Sequence, residues 1–149
     1  MMGMRKRLLA IALVIGAVGL VTTVSLAAMN PIESMKEEWK IALQHSKLAQ
    51  NYSTMDVVQQ HLQHVINCIE GPKGGMYSEA AGNPCEGKGN GMMVDAKAAG
   101  GKAAAAMVWM EVSGDVAASI GMKAKSVDKA KAAAWVTMIV LDHAGTLLK

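Results

Sequence analysis

Phenylalanine is absent from the chain, and tryptophan and tyrosine together supply only five of its 149 residues. So few aromatic rings leave no stacking platform for nucleic acid, and no nucleic-acid partner is expected. Cysteine is scarcer still, with Cys68 and Cys85 alone and no Cys-x-x-Cys-His stretch, which excludes covalent c-type haem. Neither His-Glu-x-x-His nor a dinucleotide-binding glycine fingerprint in its strand–helix setting occurs. Gly82 to Gly89 imitates a phosphate-binding loop, but Gly89 stands where Ser or Thr is required and no strand precedes it. No segment alternates apolar and polar residues with period two, so no sheet is expected. Scattered Ser, His and Asp make no hydrolytic triad, and the chain is read as a non-enzyme.

Charge is missing from one long stretch. After Arg5-Lys6-Arg7 none appears from Leu8 to Ala28, the layout of an export signal with small residues at Ser25 and Ala27 before a cleavage site. Residues 1–27 are therefore expected to be a signal peptide and residues 28–149 a single domain, periplasmic or secreted. The alternative is an uncleaved anchor at the inner membrane with the domain facing the periplasm, because about 20 apolar residues span a bilayer. In that case residues 8–28 are the only membrane contact. Without the three basic residues of this segment, twelve Lys and Arg balance twelve Asp and Glu, so the basic pI near 8.9 belongs to the segment and not to the domain. Two cysteines in an exported chain are expected to form one disulfide, Cys68–Cys85, worth about 3 kcal/mol by loop closure. Metal ligation beside the histidines is the competing reading.

What is present is helical. Asn30-Pro31-Ile32-Glu33 reads as a cap, a first-turn proline and a capping box opening a helix to about Gln50. Its apolar stripes are Trp39, Ala42, Leu43 and Ala49 beside Ile41, His45, Leu48 and Tyr52. Ser53 is expected to cap a second helix from Thr54 to Glu70, which buries Val58, Leu62, Val65 and Ile69 and ends at Gly71-Pro72. Seven glycines mark the loop from Gly71 to Gly91. A third, alanine-rich helix is expected from Val94 or Asp95 to Ile120, with weak points at Gly100-Gly101 and Gly114. A fourth runs from Val127 to about Leu147, with Val136, Ile139, Val140, His143 and Leu147 as its apolar face. The expected fold is all-α, an antiparallel up-down four-helix bundle with a long disulfide-stapled loop between helices 2 and 3.

The four histidines are the candidate ligands. His45 lies about seven residues before the first turn and His61 about nine after it, so at roughly 1.5 Å per residue they are nearly level. His61 and His64 share a helix face with Val57 and Cys68. His64 and His143 each lie about six residues before the end of their helix, which would make them level at the other end of the bundle. Imidazoles pointing inward from facing helices hold metals or haem in bundles, with copper, nickel or zinc the transition metals expected. A b-type haem on His or Met axial ligands is the alternative cofactor. Glu38, Glu70 and Asp142 are candidate oxygen ligands or acceptors for an imidazole N–H. Thirteen methionines suit copper(I), or simply fill a core that has no Phe.

Ala42-Leu43-Gln44-His45-Ser46-Lys47-Leu48-Ala49, with His61-Leu62-Gln63-His64 on the next helix, resembles the short His-bearing repeats of the periplasmic small metal-binding proteins. The likeness covers about a quarter of the chain. It implies an exported four-helix bundle binding divalent metals such as copper, with His45, His61 and His64 as the matching positions. Few histidines, a cysteine-bearing glycine loop and an alanine-rich second half depart from that pattern and point to a single site. A cofactor-free structural module is the third reading, with the alanine-rich third helix packing on a partner chain or a second copy.

Overall fold

A computed structural model of the protein describes residues 30–149. The expected signal segment lies outside them. The described residues are all-helical, with five α-helices: α1 Pro31–Asn51, α2 Met55–Glu70, α3 Met92–Ala99, α4 Gly101–Val116 and α5 Val127–Thr146. A 3-10 turn, Glu79–Ala81, interrupts the loop between α2 and α3, and a π-helical turn, Ala117–Gly121, prolongs α4.

The ends follow local chemistry. Asn30 Oδ1 accepts the Ile32 N–H at 3.2 Å ahead of Pro31, and Ser126 Oγ accepts the Lys129 N–H at 3.3 Å to start α5. Two expectations are corrected here. Thr54, not Ser53, precedes α2 and its side chain makes no capping bond. Glu33 completes no capping box but reaches forward to Lys36 at 3.3 Å, an exposed pair of little energetic weight.

The expected third helix is two. Gly100 and Gly101 adopt φ of +67° and +53°, conformations that only glycine takes without strain, so the helix stops at Ala99 and restarts at Gly101. The short piece, α3, is thereby freed to turn onto α1.

Small residues set the packing of α5. The expected face proves to be rotated outward, with Val136 and Ile139 40% and 42% exposed, while Ala130, Ala133, Ala134, Thr137, Leu141, Ala144 and Gly145 are buried. Trp39 gives the reason. Its ring lies over Gly145, where a Cβ would collide with it, and its Nε1–H donates to the Leu141 carbonyl at 2.6 Å. Turning the small face inward lets α1 and α5 approach closely enough to enclose that ring. On α2 the expected stripe Val58, Leu62, Val65 and Ile69 is fully buried.

Two apolar clusters result. Met35, Val65, Ile69, Met92, Met110 and Leu141 lead one, and Val58, Leu62 and Ile66 with Ala117, Ala130 and Ala134 form the other. Methionines 35, 92 and 110 are fully buried gap-fillers. A polar staple ties α1 to α3. Glu38 is 1% exposed, its Oε1 accepts the Gly91 N–H at 2.8 Å, and Asp95, 3% exposed, accepts from the Asn90 backbone N–H and side chain. Burial, then the nearby Asp95 carboxylate, pushes Glu38 up to about 8, so it is neutral at pH 7.

Candidate metal centre

The connection Tyr52–Thr54 folds α2 back against α1, and this pairing brings three histidines together. Nδ1 of His45 lies 2.9 Å from Nδ1 of His61 and 3.2 Å from Nδ1 of His64. One ligand nitrogen from each ring falls within 4.8 Å of the others, a spacing that one ion can bridge. The level placement of His45 and His61 expected from helix rise is what the structure shows. His64 joins them because it stands one turn along the same face of α2.

The loop orients one ligand. His64 Nε2 lies 2.8 Å from the Ala81 carbonyl oxygen, and a carbonyl only accepts, so Nε2 carries a proton and Nδ1 is the nitrogen turned towards the other rings. That carbonyl is held in turn. Asn67, fully buried, donates to the carbonyls of Ser78 at 2.8 Å and Gly82 at 2.6 Å and accepts the Ser78 N–H at 2.9 Å. Gln63 donates to the Met76 carbonyl at 2.9 Å. The Cys68–Cys85 disulfide, with a Cα–Cα distance of 5.4 Å, ties the same loop to the end of α2. The cysteines are therefore not metal ligands.

The rings are packed but reachable. Each of the three histidines is half-buried, and Tyr52, 43% exposed, stacks on His61 with centroids 5.0 Å apart. Burial lowers His45 to about 4, with His64 and His61 pushing the same way, and burial and then His64 lower His61. A neutral imidazole has one N–H, and where His64 spends its own on Ala81 its Nδ1 lone pair faces Nδ1 of His45, which in turn faces Nδ1 of His61. Either a proton on His45 or His61 Nδ1 bridges the gap, or a cation takes its place.

The remaining candidates sit elsewhere. His143 does not meet His64; it is exposed, and its ring stands edge-on to Trp109 with centroids 4.3 Å apart. Of the expected acceptors, Glu38 belongs to the staple, Glu70 Oε2 accepts the Met76 N–H at 3.5 Å, and Asp142 lines a groove with Leu43, Lys47, Met138 and Ile139. The acceptor that orients an imidazole is the Ala81 carbonyl. Sequence reasoning passed over Ala81 and Asn67. An alanine carbonyl leaves no trace in sequence, but an asparagine beside Cys68 on the buried side of α2 is a signal that could have been read. His45 cannot pair with His61 or His64 as the two axial ligands of one haem, since such ligands stand on opposite faces of a wide macrocycle and these Nδ1 atoms lie 2.9 and 3.2 Å from its own.

Comparison with protein-family models, curated proteins and solved structures finds no match.

Proposed function

We propose that this protein binds one transition-metal ion, copper, nickel or zinc, through Nδ1 of His45, His61 and His64, and that it is a binding protein and not an enzyme. The observation that carries the reading is the convergence of the three Nδ1 atoms, with the His64 lone pair committed inward by the bond from Nε2–H to Ala81. Imidazole nitrogen suits these three metals, and a second-shell carbonyl on the far nitrogen is the usual partner of a ligating histidine. Three protein ligands leave further coordination positions for water or another donor. The scaffold is read as an antiparallel four-helix bundle whose third helix is broken at Gly100-Gly101. Export to the periplasm fits a disulfide that persists under oxidising conditions.

Purified, metal-stripped protein titrated with zinc, copper(II) and nickel(II) is expected to take up one equivalent of at least one of them. H61A/H64A is expected to lose that equivalent while retaining its helical circular dichroism. Uptake unchanged in the double variant would place any bound metal elsewhere.

A further inference from the structure

The outer face of α4 and α5 carries apolar side chains that the other described helices leave exposed. Trp109 is 38% exposed, Val112 41%, Ile120 45% and Trp135 54%. Helical spacing sets Trp109, Val112 and Val116 along one flank of α4 and Val136, Val140 and His143 along one flank of α5. The Trp109–His143 contact shows that these flanks adjoin. The helical run Gly101–Gly121 is long and apolar enough by composition to cross a membrane, yet only 33% of its most apolar window is buried, and it packs alongside α3 and α5.

Charge identifies what covers this strip. Residues 101–149 carry six lysines against four acidic residues, whereas residues 55–91, α2 and its loop, carry two lysines against four. Lys123, Lys125, Lys129 and Lys131 cluster at one end of the strip, and Lys102, whose Nζ donates to the Lys149 carbonyl at 2.7 Å, stands at the other. A two-fold pairing of this face with a second copy, parallel or antiparallel, sets the Lys123–Lys131 cluster, whose four lysines have one acidic neighbour, Asp128, against itself or against the Lys102 end. A free polyanion would meet the lysines but gain nothing from the apolar strip. A bilayer surface with anionic headgroups satisfies both, because lysines are drawn to the headgroups while tryptophans settle at the boundary with the acyl chains.

We propose that the α4/α5 face docks on an anionic lipid surface, with Trp109 and Trp135 entering the interface and Lys123, Lys125, Lys129 and Lys131 contacting headgroups. The domain would then lie along the bilayer, with the histidine cluster, on α1 and α2, borne by other helices than the docking face.

All three tryptophans lie within the described residues and none in residues 1–29, so their fluorescence reports the domain and not the apolar N-terminal run. The full chain is reconstituted into vesicles of phosphatidylcholine and phosphatidylglycerol with brominated acyl chains, and into vesicles of brominated phosphatidylcholine alone. Tryptophan quenching is expected in the first. W109F/W135F, which keeps only Trp39 at its site on Gly145, is expected to lose it, as is K123Q/K125Q/K129Q/K131Q. Absence of quenching in anionic vesicles would overturn the proposal. So would equal quenching in zwitterionic vesicles, or a dimer whose tryptophans are shielded from brominated lipid and exposed when it dissociates.

Discussion

Helix α1 carries two titratable sites two turns apart, and they are built to opposite ends. Glu38 faces α3 and the Gly89–Gly91 turn, is sealed from solvent, and is kept protonated at neutral pH by burial and then by the nearby Asp95 carboxylate, while its Oε2 has no hydrogen-bond partner. His45 faces α2, remains half-buried, and meets two more imidazoles. At neutral pH both are uncharged for the same reason, burial, yet they differ in what surrounds them. The buried carboxyl is closed off with its proton, while the imidazole cluster brings one nitrogen from each of three rings together within reach of solvent. Burial and a displaced pKa are shared by both; what separates a ligand site from a staple is convergence of unshared electron pairs in a place that solvent reaches.

The sharpest way to break this contrast is to titrate the staple. Glu38 binds its proton more tightly folded than unfolded, about 8 against 4.5, so the folded state holds more protons between those values and stability falls as pH rises through that window. The loss is on the order of 4 kcal/mol. E38Q, which keeps an acceptor for Gly91 and removes the titrating proton, should flatten this slope in urea denaturation and leave metal uptake unchanged. A variant that lost the metal as well would join the two sites into one.

Removing the loop's anchor tests the other side. N67A strips the Ser78 N–H and the carbonyls of Ser78 and Gly82 of their partner, and should cost about 3 kcal/mol. Through Ala81 it should also weaken metal binding by about 10-fold or more. The disulfide variant C68S/C85S should lose similar stability by freeing the loop in the unfolded chain. Weakened folding with full metal affinity in both variants would show that His64 needs no orientation from the loop.

Acid separates the sites by sign. His45 is lowered to about 4 from 6.5, so the unfolded chain binds more protons between those values, and stability present above pH 6.5 drains as pH falls towards 4. Solvent access discounts the effect to about 2 kcal/mol. Bound metal should shift the loss to lower pH, since it competes with protons for the same lone pairs. Thermal melts with and without metal between pH 7 and 4 measure both. Melts that coincide throughout would mean that no ion occupies these rings.

How much of this could be read from residues alone depended on the range of the interactions. The α2 stripe and the pairing of His45 with His61 followed from helix rise and one short turn, which are local. The face of α5 did not, because Val136 and Ile139 look like core until Trp39, about a hundred residues away, claims the small side of the helix at Gly145. The break at Gly100-Gly101 was visible as a weak point. That it is a full stop depends on α3 finding a seat on α1 beside Glu38, a contact no local pattern encodes. The site divided in the same way, with two ligands and their helix-mate predictable and the orienting carbonyl of Ala81 hidden in a loop whose path is set by Asn67.

His143 should give the smallest effect. It sits on α5 as an exposed ring against Trp109, one of several contacts on a face the fold leaves open. H143A should change stability by no more than about 0.5 kcal/mol, the range of surface substitutions with no buried partner, and leave metal stoichiometry untouched. It shares residue type and helical setting with the three clustered histidines and lacks only convergence. If H143A instead halved metal uptake, a second site on α5 would exist, and convergence of imidazoles would no longer be what distinguishes the α1–α2 cluster from the rest of the molecule.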